Sequence, residues 1–268
     1  MLAIFRKELN QFFSSPIAYI IMGVFLAVVG LLLWVFPATN LLDYGYADMG
    51  QFFSLTPYDL LFLAPAITMR AIADEVRGGT LEWLLTKPVS SWGVVLGKFG
   101  ACWLLVALTL LPTLIYYVSL YKLGNPPGNI DSAVVAGSYV GLLLLAGVFV
   151  AVGLWASSLN DNQVVAFVVG TLACLILYAG LSTLSGLLGT SDAAYWLDYL
   201  SLDQQYGALG RGLLDSRNVI YLLSLTTLFL YLTTQRLARR LGQFPAYDTC
   251  VIQPNSTSLG CHWLDHYH

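Results

Sequence analysis

Apolar positions run almost unbroken through five stretches that hold no Asp, Glu, Lys or Arg: Leu9 to Leu42, Phe99 to Tyr121, Ser132 to Asn160, Asn162 to Ser191 and Asn218 to Gln235. Each holds the ~20 residues that carry an α-helix across a bilayer. A sixth apolar stretch, roughly 56–73, has Asp59 and Arg70 near its two ends, where side chains snorkel to the interface. The pattern predicts an all-α polytopic membrane protein with six spans, at about 17–36, 56–73, 99–121, 134–156, 163–184 and 218–235.

The polar positions between these runs predict shorter elements. Before the first span, Leu2, Ile4, Phe5, Leu9, Phe12 and Phe13 alternate with Arg6, Lys7, Glu8 and Asn10 at helical spacing, which suits an interfacial helix ending near Ser14-Ser15-Pro16. A helical extension of the first span fits the same periodicity. Gly124-Asn125-Pro126-Pro127-Gly128 is a run of turn chemistry. The connection from Leu184 to Arg217 is different, because Leu187, Leu188, Tyr195, Trp196, Tyr199 and Leu213 make it too apolar for a solvated loop. Short interfacial or re-entrant helices are expected there, with Trp and Tyr at headgroup depth.

Composition sharpens the class. Of 268 residues only 12 are Lys or Arg and 15 Asp or Glu, 57% are hydrophobic, and mean hydropathy is +0.72. A soluble domain carries about 25% charged residues, so a soluble globular protein is excluded. A net charge of −3 argues against a nucleic-acid partner. Arg6, Lys7, Arg70, Arg77, Lys87, Lys98, Arg236, Arg239 and Arg240 fall on one side of the six-span arrangement, with only Lys122, Arg211 and Arg217 on the other. The positive-inside rule then places both termini in the cytoplasm. The first apolar run is too long for a signal-peptide core and lacks an A-x-A cleavage pattern, so it reads as a retained span.

Catalytic signatures are missing. Gly93-Val94-Val95-Leu96-Gly97-Lys98-Phe99 has its glycines one residue too close for a phosphate loop, and no Ser or Thr follows the lysine. No H-E-x-x-H, G-x-S-x-G or paired intramembrane carboxylates occur. Cys102 and Cys174 lie inside apolar spans as small packing residues. Cys250, Cys261, His262, His266 and His268 lie in a final segment, 242–268, without standard ligand spacing, so a poorly ordered cytoplasmic tail is expected and no metal site is assigned.

The most informative segment lies between the second and third spans, on the basic side: Asp74-Glu75-Val76-Arg77-Gly78-Gly79-Thr80-Leu81-Glu82-Trp83-Leu84-Leu85-Thr86-Lys87-Pro88-Val89-Ser90. It reads as a helix end, a glycine break, a short amphipathic helix and a proline stop. Thr80 can cap the short helix, Glu82 sits where the helix dipole favours an anion, and Pro88 prevents continuation. Leu81, Leu84 and Leu85 share one face. Such a helix, tied stiffly to two spans, can transmit motion from a cytoplasmic partner, and by composition it is equally an ordinary connection resting on the bilayer surface.

Arg77-Gly-Gly-Thr80-Leu81-Glu82-Trp-Leu84-Leu85-Thr86-Lys-Pro88-Val89-Ser90, followed by Gly97-Lys98, resembles the G-T-L-E-x-L-L-x-x-P-V-S … G-K signature of ABC exporter permeases of the type-2 superfamily. Arg6-Lys7-Glu8-Leu9 with Ser15-Pro16-Ile17-Ala18-Tyr19 resembles that family's interfacial helix and approach to the first span. Arg211-Gly212-Leu213-Leu214-Asp215-Ser216-Arg217-Asn218 with Tyr221 resembles the segment leading into its last span. The three-part pattern is most similar to gliding-motility permeases, and next to nitrous-oxide-reductase accessory permeases. Gln205 stands where that branch often has histidine, and Asn218 where it often has aspartate.

The resemblance implies a permease membrane domain over 1–241. It carries an interfacial N-terminal helix, a cytoplasmic coupling helix around Thr80 to Lys87, and short extracellular helices before span six. Carried over residue by residue, Glu75, Arg77, Gly79, Thr80, Leu81, Glu82, Leu84, Leu85 and Pro88 form or frame the contact with a separate ABC ATPase, and Arg211, Gly212 and Asp215 belong to the motif before the last span. ATP and Mg are then bound by that partner, with no cofactor in this chain. The chain pairs with a second permease half, identical or related, in the bacterial inner membrane. A different reading of the same features is a structural or accessory component of a motility or secretion complex that carries no soluble solute. The small-residue spacings Gly137/Gly141, Gly147/Ala151 and Gly93/Gly97 allow close helix approach, without identifying a dimer face.

Overall fold

A computed structural model describes residues 2–36, 49–78, 91–123, 131–189, 192–212 and 215–242, and among them every regular element is a helix. Helix α1, Leu2–Ser14, stops where Ser15 adopts an extended backbone and Pro16 opens α2, Pro16–Trp34. Proline fits the first helical turn, where its missing N–H would be unpaired anyway, and cannot continue a preceding helix. The amphipathic segment is therefore a helix of its own and not an extension of the first span.

Helix α3, Gly50–Arg77, begins six residues before the apolar run that predicts it. Its early polar groups are satisfied within the helix, since the Thr56 hydroxyl donates to the Phe52 carbonyl at 2.6 Å and that of Ser54 to Gln51 at 2.9 Å. Asp59 is consequently well inside α3, not at its end. Helix α4, Ser91–Leu110, passes through a tighter turn at Leu111–Thr113, where Pro112 interrupts the ladder, into α5, Leu114–Leu123. Helix α6, Ser132–Leu159, is capped by Asp131, whose carboxylate accepts from the Ala133 amide at 3.0 Å. Helix α7, Gln163–Leu175, starts at an Asn162 cap and continues through a wide turn at Ile176–Gly180 into α8, Leu181–Leu188. Two short helices, α9 at Asp192–Leu200 and α10 at Leu202–Leu209, precede α11, Ser216–Gly242.

Among the described residues, five helical rods are long and apolar enough to cross a membrane: Pro16–Trp34, Gly50–Arg77, Ser91–Lys122, Ser132–Leu159 and Gln163–Leu188. The 27-residue α11 is about 40 Å long. It is not among those five: its apolar stretch, 219–234, is short, is bounded by Arg217-Asn218 and Gln235-Arg236, and includes several Ser and Thr.

The core is organised around α6, where Leu142, Leu145, Phe149 and Leu154 are wholly buried. Small residues bring its neighbours close. A methyl group on Gly153 would overlap the Thr68 hydroxyl of α3, and one on Gly170 of α7 would meet Pro65 of α3 at 3.3 Å. The Gly137 and Gly141 face is likewise used inside the chain: Cβ atoms there would meet the Gly212 carbonyl at 2.9 Å and Leu209 at 2.7 Å. Pro57, inside α3, cannot donate to the carbonyl four residues back, which is Phe53. The buried Tyr206 hydroxyl of α10 takes its place, donating to the Phe53 carbonyl at 3.0 Å.

Candidate functional site

Glu75 and Arg77 are the two predicted docking residues within the described part of the chain; Gly79, Thr80, Leu81, Glu82, Leu84, Leu85 and Pro88 lie outside the described residues. Arg77 is exposed on the last turn of α3, which closes with the Gly78 amide donating to Asp74 at 2.9 Å. Glu75 faces inward, and around it the chain assembles most of its buried charge.

Lys98 of α4 is only 1% exposed; its ammonium donates to Glu8 of α1 at 2.8 Å and to the Ala71 carbonyl of α3 at 2.6 Å, and it forms an ion pair with Glu75 of α3 at 2.9 Å. Glu75 also accepts from Lys7 of α1 at 3.0 Å, and Lys7 lies 4.0 Å from Glu8. Two cations and two anions cancel, with Lys98, Glu8 and Glu75 buried and Lys7 half exposed at the edge of the cluster. Burial alone would lower the pKa of Lys7, but its hydrogen bond to Glu75 and the charges of Glu75 and Glu8 hold it above the ordinary 10.5.

The position of this cluster matters more than its energy, since a buried ion network gives little net stability over apolar packing. Helices α3 and α4 lead into and out of 79–90, and the cluster fastens both to the amphipathic α1. A second tie lies alongside it. The Ser157 hydroxyl of α6 accepts from the Ile72 and Ala73 amides at 3.3 and 3.1 Å and donates to the Met69 carbonyl at 3.1 Å. It reaches into the α3 ladder one turn before Glu75. Asp74 accepts from the Gln163 amide at the start of α7. Four helices thereby grip the last two turns of α3.

Lys7, Glu8 and Lys98 were not predicted as site residues. Their signal was present in two fragments, Arg6-Lys7-Glu8-Leu9 and Gly97-Lys98, whose contact across 90 positions spacing does not show.

The segment before α11 is a packing device. Gly212 has φ +77, and a side chain there would meet the Val134 backbone at 2.7 Å, so only glycine fits. The Ser138 hydroxyl of α6 donates to the Gly210 carbonyl at 3.0 Å. Arg211 donates to the Gly207 carbonyl at 2.9 Å, and Asp215 accepts from the Arg217 amide at 3.0 Å as a cap for α11. Gln205, at the departure from the resembled pattern, donates to the Tyr199 carbonyl at 2.9 Å and joins α10 to α9. Among the described residues no group of three or more His, Cys, Asp or Glu is placed to hold a metal ion. The cysteines and histidines of the tail lie outside them.

Comparison with known families matches the chain to the ABC-2 family transporter proteins over residues 55–241. No curated protein matches the chain. The matched region contains α3 from residue 55 onward, the 79–90 segment, Lys98 and the later helices as far as residue 241 of α11.

Proposed function

The chain belongs to the ABC-2 family of transporter proteins, and from that premise we propose that it converts ATP hydrolysis in a separate ABC ATPase into movement of its own helices. The family match over α3, 79–90 and α4 carries this reading. It makes the protein the membrane permease subunit of an ABC transporter, with several apolar helices crossing the bilayer.

In the proposed mechanism, 79–90 contains the coupling helix and docks on the ATPase through Thr80, Leu81, Glu82, Leu84 and Leu85, with Gly79 and Pro88 as its breaks. ATP and Mg belong to the partner. Displacement of this segment pulls on α3 and α4 at once, and the Lys98–Glu8–Glu75–Lys7 cluster carries the pull to α1. Helix α1 acts as an interfacial lever, because Lys7 and Glu8 face the cluster while Leu2 is 83% exposed for contact with lipid.

Helix α11 supplies the sixth span. The hydroxyls of Thr226, Thr227 and Thr233 donate to carbonyls four residues back, which hides their polarity within the helix. Six spans place both termini in the cytoplasm of a bacterial inner-membrane protein. Two permease halves pair to form the transporter, and the work done is export or, by the gliding-motility resemblance, a secretion- or motility-related movement of protein parts.

The test is Leu81→Glu and Leu85→Glu in the complex reconstituted with its ATPase. Both variants should reach the membrane at normal levels and lose the stimulation of ATP hydrolysis that the native permease gives. Unchanged stimulation in both overturns the docking assignment.

A further inference from the structure

Arg70 is the one cation within the apolar part of α3, and its Nε is buried with no hydrogen-bond partner among the described residues. The acidic side chains around it are otherwise engaged: Glu8 with Lys98, Glu75 with Lys7 and Lys98, and Asp74 with Gln163. No ion pair of Arg70 within 4 Å occurs among the described residues. A guanidinium Nε shielded from water without an acceptor is costly even on a partly exposed side chain, so its surroundings are informative.

Those surroundings are a cavity of about 110 Å³ between α1, α2 and α3, whose polar lining is Glu8, Gln11, Ser15 and Asp74 with Arg70. A second cavity, of about 380 Å³, continues along α2 and is walled by Val24, Phe25, Phe62 and Phe167. Ile21 and Ala66 line both, so the polar chamber and the apolar groove are adjacent. From Arg70 to Asp59, at the groove's far end, α3 rises about 16 Å. One leaflet of a ~30 Å hydrocarbon core is about 15 Å deep.

We propose that this composite cleft binds one phosphate-bearing membrane lipid, its phosphate held by Arg70 and one acyl chain lying along α2 as far as Asp59. The two halves of the site match the two halves of the ligand. A planar guanidinium grips phosphate oxygens in pairs, and Gln11 and Ser15 add neutral donors beside it. Free phosphate would leave the groove unfilled, and a neutral apolar ligand would leave Arg70 without its counter-ion. The lipid would bridge α1 to α2 and α3 next to the ion cluster, as a third tie on the same lever. The inference rests on the chain crossing a bilayer and not on docking of an ATPase, which the test below does not contain.

The experiment is native mass spectrometry of the full chain, delipidated in mild detergent and titrated with phosphatidylglycerol. The native protein should retain one lipid per chain. Arg70→Gln should weaken retention by at least about tenfold, the loss expected for a charge-assisted hydrogen-bonded contact. Val24→Trp, which fills the groove and leaves Arg70 in place, should weaken it as well, and it decides the matter if Arg70→Gln loses helicity by circular dichroism. Millimolar inorganic phosphate should not displace the lipid. Equal retention by native protein and a folded Arg70→Gln, equal retention of diacylglycerol, displacement by inorganic phosphate, or a second copy of the chain cross-linked into the groove in place of lipid would each overturn the proposal.

Discussion

Lys98 and Glu8 stand 90 positions apart in the chain and meet at 2.8 Å in its interior. Their contact fixes the amphipathic N-terminal helix to the start of α4, and Glu75 extends it to the end of α3. The segment expected to receive an ATPase is thus flanked by helices that share one charge network. Removing one member leaves the others buried and unbalanced, which makes the network testable by substitution.

Lys98→Met should be strongly destabilising, by about 3–5 kcal/mol, because it leaves Glu8 and Glu75 facing each other without their shared cation. Adding Glu8→Gln should restore part of the loss, since Glu75 keeps Lys7. Thermal unfolding of the detergent-purified variants reads both effects. A double variant no more stable than Lys98→Met would contradict the network.

The Lys7 contribution has a definite pH sign. Its folded pKa is raised above 10.5, so the stabilisation is fully present below 10.5 and lost as pH rises through the folded value. The melting difference between the native chain and Lys7→Met should stay constant from pH 7 to 9 and shrink above about 10.5. A difference that vanishes at lower pH would assign it to another group.

Gly212→Ala should destabilise by about 1–2 kcal/mol from its left-handed backbone alone, with the clash against Val134 added. Gly186→Ala provides the contrast, since its added Cβ meets nothing within 4 Å and its helical backbone favours alanine by about 0.5–1 kcal/mol. Opposite shifts in melting temperature are expected. Equal shifts would contradict the packing described for the turn before α11.

Tyr206→Phe removes the donor that replaces the one lost at Pro57 and leaves the Phe53 carbonyl buried and unpaired. The cost should be about 1–3 kcal/mol. Pairing it with Pro57→Ala, which restores an amide opposite that carbonyl, should recover stability. If the pair shows no such coupling, the hydroxyl is not serving the carbonyl freed by the proline.

The helices were legible in the sequence because charge-free runs of bilayer length have few alternatives, and the Ser15-Pro16 break and the short helices after Leu188 followed from turn chemistry and composition. Helix α3 reaches beyond the apolar run at 56–73, and Ser54 and Thr56 fit within it by satisfying their hydroxyls on their own helix. That bonding makes residues of polar name apolar in effect. Glu8 is one of the polar positions of an amphipathic segment in the sequence and is 4% exposed in the structure, because its partner comes from a helix far along the chain. Ser157 carried no signal at all, since a serine that bonds a neighbouring helix looks like any other small residue in an apolar run.

The most direct test of the central claim is a gentle-detergent pull-down of the tagged chain from its own host's membranes, with cross-linking from positions 80–87 and identification of bound proteins by mass spectrometry. An ABC ATPase should be recovered in near-equal amount and cross-linked through that segment. Recovery of the chain without any ATPase, even after cross-linking, would contradict the coupling role.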